Sequence, residues 1–248
     1  MTRLAPASFP ITVLQALSLL CAVAALSLPV SAETLLTPHK AQYKVKISVL
    51  GGQLNTELTS TADGYVATHV IKATGMSRML AGGRIRESSA FDRIPDGIRP
   101  VQYDSNDTLT RDKTRASIQF DWAAGEANGK VNSEDFHSVM DELAYDRVSI
   151  QYELMSDLLN GGPSEDYVLF DIDELKTITV RNIGARTVTV TAGEYEAIGV
   201  QHQTAGSKRV TTMWCVKELD YLPVIIEQHR KGKLRMRAVL SRYSPLTT

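Results

Sequence analysis

Cysteine is scarce in this sequence, since Cys21 and Cys215 are the only two among 248 residues. Cys21 lies in an N-terminal segment that we expect to be removed, which leaves one thiol. The processed chain could then form no internal disulfide, although it would work in an oxidising compartment. Its stability is therefore expected to come from an apolar core.

Neither sign of charge is in surplus. The chain has 27 Lys and Arg residues against 28 Asp and Glu, a formal net charge of −1 at pH 7. This balance argues against nucleic acid as a partner. After residue 32 no apolar run approaches the ~18 residues that a membrane-spanning helix needs. We expect no stable membrane span once that segment is gone.

Catalytic motifs are also missing. The sequence has no Gly-x-Ser-x-Gly nucleophile elbow, no phosphate-binding loop and no His-Glu-x-x-His helix. We therefore predict no catalytic residues, no metal site, no cofactor and no enzymatic activity. The open alternative is a hydrolase without a recognisable motif, in which Glu227, His229 or Asp171 would converge in a cleft.

Two strand segments near the C-terminus carry reactive side chains. Glu227 and His229 are two residues apart and share a strand face, so they could act as a base and its orienting group or bind a metal with a third ligand. Cys215 could be a nucleophile, but its neighbours are apolar and no partner histidine is obvious in sequence. A solvated strand face and a buried core thiol are the simpler interpretations.

One acidic and one basic cluster of side chains could each bind a ligand. Asp171, Asp173 and Glu174 could bind calcium, but their spacing lacks the glycine of a calcium loop, which favours a strand end or a turn. Lys233, Arg235 and Arg237 form a basic stripe that could hold an anionic head group or a polyanion. Solvent-facing charge on a half-exposed sheet is the favoured interpretation of the stripe.

The N-terminus has the pattern of a secretory signal peptide. Arg3 is the only charged residue before Glu33, an apolar stretch runs over 11–28, and Val30-Ser31-Ala32 supplies the small residues that signal peptidase requires. We expect cleavage after Ala32, so that 1–32 is the signal and 33–248 is a single β domain in the periplasm. A retained membrane anchor and a lipoprotein modified at Cys21 are the alternatives.

The rest of the chain is patterned as strands. Tyr43, Val45, Ile47 and Val49 alternate with polar residues, and Leu234 to Ser241 alternates in the same way. Turn signals separate roughly a dozen such segments, which predicts an antiparallel sheet in hairpin order. One helix is predicted at about 141–160, with Ser138 and Asp141 resembling a capping box.

These elements predict a mainly β fold with one long helix. An antiparallel meander of this size tends to curl, so we expect a curved, half-open, barrel-like sheet with the helix on its concave face or across its mouth. A pair of stacked sheets is the alternative.

Apolar side chains give the predicted ligand-binding set. The glycine-flanked loop Gly75–Gly83 and one face of the last strand carry them, and methionines suit adaptable apolar surfaces. The predicted residues are Met76, Met79, Leu80, Leu234, Met236 and Leu240.

Several stretches together resemble a family of exported bacterial proteins known as domain of unknown function 3108. They are AQYKVKISVLGG, SSAFDRIPDGIRPVQY, IQFDW, DELAYDRVSIQYELMSDLLNGG, TVTAGEYEAIGVQHQ and YLPVIIEQHRKGKLRMRAVLSRY. The resemblance implies a periplasmic, mostly β protein and assigns no activity and no site residues. By fold analogy such proteins look like half-open barrels that carry lipid-linked cargo through the periplasm.

Two functions are consistent with these features. The first is a non-enzymatic binder or carrier of an apolar or amphipathic molecule such as a lipid. The second is a structural or adaptor protein of the bacterial cell envelope that binds another envelope protein through a sheet edge or a helix face.

Overall fold

A computed structural model describes residues 35–246 except 81 and 173, and for Leu80 it describes the backbone alone. The predicted signal peptide and its cleavage site lie outside the described residues. Fifteen strands and two helices make up the described part, with a short 3₁₀ turn at Lys217–Leu219.

The strands lie in one sheet. They are β1 (His39–Ile47), β2 (Leu50–Ser60), β3 (Gly64–Ala73), β4 (Arg84–Ile94), β5 (Gly97–Asp107), β6 (Arg115–Asp121), β7 (Glu126–Val131), β8 (Glu134–Val139), β9 (Ala144–Asp146), β10 (Asp166–Asp171), β11 (Glu174–Val190), β12 (Gly193–Thr204), β13 (Arg209–Val216), β14 (Leu222–Arg230) and β15 (Lys233–Pro245). The helices are α1 (Ser77–Leu80) and α2 (Ser149–Asn160). The prediction of a mainly β fold is confirmed.

Strand order in the sheet follows the chain with one exception. The order is β8-β7-β6-β5-β4-β3-β2-β1-β15-β14-β13-β12-β11-β10-β9, so β1 and β15 meet in the middle. All pairs are antiparallel except β9 with β10, which is parallel. The predicted hairpin order therefore holds for most of the sheet, and the two edge strands, β8 and β9, are consecutive in sequence.

The sheet is not closed by hydrogen bonds, yet side chains from strands near its two edges come into contact. The connection between β8 and β9 is residues 140–143, which span at most about 18 Å. Fifteen strands laid flat would separate the edges by roughly 65 Å, so the sheet returns on itself. Phe170 of β10 contacts Phe120 of β6 and Phe136 of β8, each at a ring distance of 5.5 Å.

The described helix is shorter than predicted. α2 begins at Ser149, whereas the apolar pattern predicted a start near residue 141. The preceding residues Ala144–Asp146 instead form β9, which pairs with Val168–Phe170. Ser138 lies in β8, so the predicted capping box is wrong. No helix in the described part of the chain is long and apolar enough to cross a membrane.

The core follows the strand alternation. His39, Ala41, Tyr43 and Val45 of β1 are buried on one face, as the period of two requires. Ile47 of the same predicted face is half exposed, and Val49 lies beyond the strand in the hairpin turn. The apolar face therefore continues past the core to one end of the sheet.

Candidate functional site

The start of α2 is fixed by a buried carboxylate. Asp146 accepts hydrogen bonds from the Val148 and Ser149 backbone N–H groups at 2.8 and 2.9 Å. Ser89 of β4 donates its hydroxyl to the same side chain at 2.6 Å. Burial raises the pKa of Asp146, because the charged form loses its hydration. This side chain therefore ties the helix to the sheet.

A second buried carboxylate anchors the middle of the helix. Glu153 accepts the Tyr145 hydroxyl at 2.6 Å and the Ile98 backbone N–H at 2.9 Å. Gly97 has φ of +131°, and a Cβ there would lie 2.6 Å from both carboxylate oxygens. Only glycine fits at this position, because the carboxylate occupies the space of a side chain.

A third carboxylate joins β4, β5 and the segment before α2. Tyr103 donates its hydroxyl to Glu87 at 2.7 Å, and an Arg147 nitrogen lies 3.5 Å from the same carboxylate. Asp171 is 3.7 Å from the Arg147 guanidinium.

We name the carboxylates of Glu87, Asp146 and Glu153, together with their donors, the α2 network. Each of the three is held by donors of the protein itself, which is the arrangement of structural anchors.

Side chains fill the space between α2 and the first strands. Tyr152 is fully buried and stacks on Phe91 with a distance of 5.6 Å between the ring centroids. Its hydroxyl oxygen lies 3.3 Å from Nε2 of His69. Burial lowers the pKa of His69 to about 4, so that histidine is neutral at neutral pH. Three buried polar atoms nearby, His39 Nε2, Tyr43 Oη and Thr56 Oγ1, have no hydrogen-bond partner in the described part of the chain. The interior is therefore a packed core that contains a few polar atoms.

Exposed apolar side chains concentrate at one end of the sheet. Six of the eleven large apolar side chains that the described residues expose lie there, in the β1–β2 hairpin, in the β3–β4 connection and at the start of β15. These six residues form what we name the apolar rim: Ile47, Val49, Leu50, Met76, Met79 and Leu234. Scattered exposed apolar residues are ordinary, but a group of them marks an interaction site.

Backbone pairing and hydrogen bonds hold the segments of the rim together. Ile47 pairs with Leu50 in the β1–β2 hairpin and with Met236 of β15. The Gly51 backbone N–H donates to the Ser77 hydroxyl of α1 at 2.8 Å. The Ser48 N–H donates to the Arg235 carbonyl at 3.2 Å. The three apolar segments are therefore neighbours at one end of the sheet.

The turn that carries Val49 has an unusual composition. Ser48 takes φ of +55°, a left-handed conformation that glycine or asparagine normally occupies. Val49 follows with 88% of its surface exposed. A β-branched apolar side chain exposed to water is unfavourable in a two-residue hairpin turn. Residues that are locally unfavourable in this way often serve a function.

Two clefts beside the apolar rim are lined by cations. One, of about 540 Å³, includes Lys72 and Arg78 with the amides Gln53 and Asn55. The other, of about 500 Å³, includes Lys44 and Lys46 and reaches Val49. Among the described residues, neither lining contains Asp or Glu. Both clefts are therefore suited to an anionic group.

The structure divides the predicted ligand-binding set. Met76 and Met79 are 84% and 86% exposed and lie in the apolar rim with Leu234. Met236 is half-buried against the core, and Leu240 is fully buried. The side chain of Leu80 lies outside the described part of the molecule.

Three rim residues, Ile47, Val49 and Leu50, lie outside the predicted ligand-binding set. The available signal was Ser48-Val49 at the two turn positions where a hairpin usually carries Asn-Gly or Asp-Gly.

An ion pair and burial explain two other candidate residues, Glu227 and Cys215. Glu227 forms an ion pair with Arg237 at 3.3 Å, across the β14–β15 pair. Cys215 is buried, and burial raises its pKa to about 12, which suppresses thiolate formation. Both residues therefore have the structural roles that the simpler interpretations gave them.

The acidic grouping is neutralised by a lysine. Lys176 reaches Asp171 at 2.6 Å and Glu174 at 2.5 Å, while Asp173 lies outside the described residues. Within those residues, no group of three or more His, Cys, Asp or Glu side chains could hold a metal ion.

The fold belongs to a class of barrel-like β proteins. The chain is similar to a solved β-barrel-like protein of domain of unknown function DUF1849 from Brucella abortus, with 15% identity, a TM-score of 0.57, and coverage of 86% of this chain and 99% of that one. A putative exported Bacteroides fragilis protein with a YmcC-like fold is 11% identical, with a TM-score of 0.34 over 83% of this chain and 95% of its own, too weak a likeness to support an argument.

Sequence comparison gives the family. The model of the protein family of unknown function DUF3108 matches residues 40–239, and the chain belongs to this family. No protein of curated function matches the sequence significantly. The resemblance predicted from the sequence is therefore confirmed.

Proposed function

We propose that this protein is a non-enzymatic, periplasmic binding protein for an amphipathic molecule such as a lipid. In this proposal the sheet is a half-open barrel with α2 against its concave face, and the ligand binds at one mouth of the barrel. The observation that carries the proposal is the apolar rim, where six large apolar side chains are exposed together.

The rim suits an apolar ligand better than the interior does. Tyr43, Tyr152 and Leu240 are each at most 1% exposed, so they leave no room for an acyl chain among them. Met76 and Met79 are flexible and polarizable, and they adapt to partners of varied shape. The binding surface of the proposal is therefore the end of the sheet, with the packed interior as its rigid support.

The surroundings of the rim suit a polar or anionic head group. Lys72 and Arg78 line one adjacent cleft and Lys44 and Lys46 line the other. A molecule with an apolar chain and an anionic head could place the chain on the rim and the head in a cleft. This arrangement explains why apolar and cationic side chains occur at the same end.

Native mass spectrometry of the protein purified from the periplasm without detergent tests the proposal. We expect a discrete added mass that dissociates as a lipid on activation, and an intact mass that begins at Glu33. The double variant Val49→Asp/Met79→Asp should lose the added mass. The matched control Val139→Asp changes an apolar residue of β8 that is 60% exposed and lies outside the rim, and it should keep the ligand. A bare protein mass in the unaltered chain would contradict the proposal.

A second function is favoured by the open edge of the sheet. Within the described residues β8 pairs with β7 alone, so the other side of its backbone is available for a strand from a partner. An adaptor of the cell envelope would use this edge. In that case Val139→Asp should abolish capture of the partner, and the rim variant should leave it intact.

A further inference from the structure

We propose that the apolar rim docks on the surface of an anionic lipid bilayer, so that the protein works while peripherally bound to a membrane. This inference rests on the proposed function, because it names a bilayer as the place where the amphipathic ligand is met. It goes further, since binding of single lipid molecules does not require docking on a membrane.

The most exposed apolar side chains lie at the tips of neighbouring turns. Val49 lies in a two-residue turn, and Met76 and Met79 lie in the connection that contains the single turn of α1. Each is more than four-fifths exposed. Apolar side chains in such positions can enter the outer part of a bilayer together, without rearrangement of the sheet.

Four segments at this end of the sheet, around its central strands, are basic, whereas the residues in and beside the β5–β6, β7–β8 and β10–β11 connections at the same end include acids. Residues 44–56, 70–86, 204–216 and 228–237 belong to strands that are neighbours in the sheet and to their connections. The four segments contain thirteen Lys and Arg residues and no Asp or Glu. The thirteen are Lys44, Lys46, Lys72, Arg78, Arg84, Arg86, Lys208, Arg209, Arg230, Lys231, Lys233, Arg235 and Arg237.

This local surplus contrasts with the rest of the molecule. The whole chain has a formal net charge of −1, so the remaining segments carry the compensating acids. Within the described residues Arg237 alone among the thirteen forms an ion pair with a carboxylate, that of Glu227. The other twelve cations are available to an external anionic surface, which attracts each nearby Lys or Arg.

In the β1–β2 and β3–β4 connections, exposed apolar side chains lie beyond cations of the adjoining strands, and Arg78 lies among them. The apolar residues Val49, Met76 and Met79 lie in the connections, whereas Lys46 and Lys72 lie back along β1 and β3. A bilayer presents the same order, with the acyl region beyond a plane of anionic head groups. An acidic protein surface would match the cations but offers no reason for three exposed apolar tips.

Cosedimentation with vesicles tests the docking. The processed protein, with its N-terminus checked by intact mass, is mixed at low salt with vesicles of phosphatidylcholine alone or of phosphatidylcholine and phosphatidylglycerol. We expect binding to the anionic vesicles, little binding to the neutral ones, and loss of binding at high salt, because the attraction between the cations and the surface is screened.

Two pairs of variants separate the contributions. Val49→Asp/Met79→Asp should weaken partitioning by about tenfold or more, whereas the control Val139→Asp should leave it unchanged. Lys46→Glu/Arg235→Glu should also weaken it by about tenfold or more, since two cations near the surface are replaced by anions. Lys217→Glu, at an exposed lysine of the 3₁₀ turn, reverses one charge outside the basic segments and is the charge control, with half the charge change of the double variant.

The outcomes distinguish docking from ligand binding. Absence of binding to anionic vesicles, or equal losses in the rim variants and their controls, overturns the docking proposal. If native mass spectrometry still finds a lipid in that case, the proposed function stands alone. Rim-dependent capture of an acidic protein without vesicle binding would overturn the bilayer as partner and identify the rim as a protein interface.

Discussion

The α2 network and the apolar rim use charged side chains in opposite ways. Glu87, Asp146 and Glu153 are buried, and each accepts hydrogen bonds from groups of the protein. At the rim, twelve of thirteen cations have no carboxylate partner within the described residues, and apolar side chains beside them are exposed. The first region satisfies its carboxylates with donors of the chain itself, whereas the second leaves apolar and cationic side chains exposed.

This difference separates structural carboxylates from catalytic ones. A raised pKa in a buried Asp is one sign of a catalytic group, and Asp146 has it. Its three donors, however, explain its position as the link between α2 and β4. Exposed apolar and unpaired cationic side chains at the rim are the stronger indication of function in this molecule.

The largest effect is expected in the packed interior. Tyr152→Ala should lower the free energy of unfolding by about 3 to 5 kcal/mol, because it removes a fully buried ring and leaves a cavity. Tyr152→Phe, which keeps the ring and loses the contact with His69, should cost about 1 kcal/mol. Urea denaturation measures both. Equal losses in the two variants would show that the ring is not the anchor.

The next effect concerns the α2 network. Glu153→Leu should lower the free energy of unfolding by about 2 to 4 kcal/mol, because the Tyr145 hydroxyl and the Ile98 N–H lose their acceptor in a buried site. Glu153→Gln keeps one acceptor oxygen and should cost less. Chemical denaturation compares the three proteins, and a leucine variant as stable as the unaltered protein would remove this carboxylate from the set of structural anchors.

A third prediction concerns how the buried histidine His69 makes the stability of the protein depend on pH. The pKa of His69 is about 4 in the folded chain against 6.5 in the unfolded chain. Between these values the unfolded chain binds a proton that the folded chain does not, so this contribution to stability is full above pH 6.5 and is lost as the pH falls towards 4. His69→Gln should reduce the loss of stability between pH 7 and 4.5 by about 2 kcal/mol.

The difference between the two proteins isolates His69, because other groups titrate as well. Burial lowers the pKa of His202 to about 4, which acts in the same direction. Burial raises the pKa values of Asp146 and Asp157, which acts in the opposite direction. Denaturation curves at several pH values measure the difference, and parallel pH profiles of the two proteins would contradict the role given to His69.

The smallest effect on stability is expected at the apolar rim. Val49→Asp/Met79→Asp should change the free energy of unfolding by less than about 0.5 kcal/mol, because both side chains are already in water. A thermal melt beside the vesicle assay checks this. A large loss of stability would show that these residues belong to the core, and it would contradict the distinction between the apolar rim and the α2 network.

Most of the fold was accessible from the sequence because strands alternate visibly. Tyr43 and Val45 are buried and Lys44 and Lys46 are exposed, as the period of two predicts. The helix was harder, since Ala144–Asp146 is apolar enough to extend the helical pattern. Its pairing with β10, more than twenty residues later, made it a strand, and no local signal reports that pairing.

The candidate site was only partly accessible. Met76 and Met79 were predicted from composition alone, and they lie in the rim. Leu234 and Leu240 share an alternating face, yet one is half exposed at the end of the sheet and the other is fully buried. Periodicity reports the face of a strand but not the distance from its end, which depends on how far neighbouring strands extend.

The meeting of β1 and β15 in the middle of the sheet makes its centre depend on both ends of the described chain. His39 pairs with Pro245, so the central pair joins the two ends of the described chain. Hairpins on either side are local in sequence, whereas β1 and β14 are unpaired edges in any chain that lacks β15. Completion of the sheet therefore waits for the C-terminus, and a chain that stops before residue 233 would lose the centre of the sheet and not its margin.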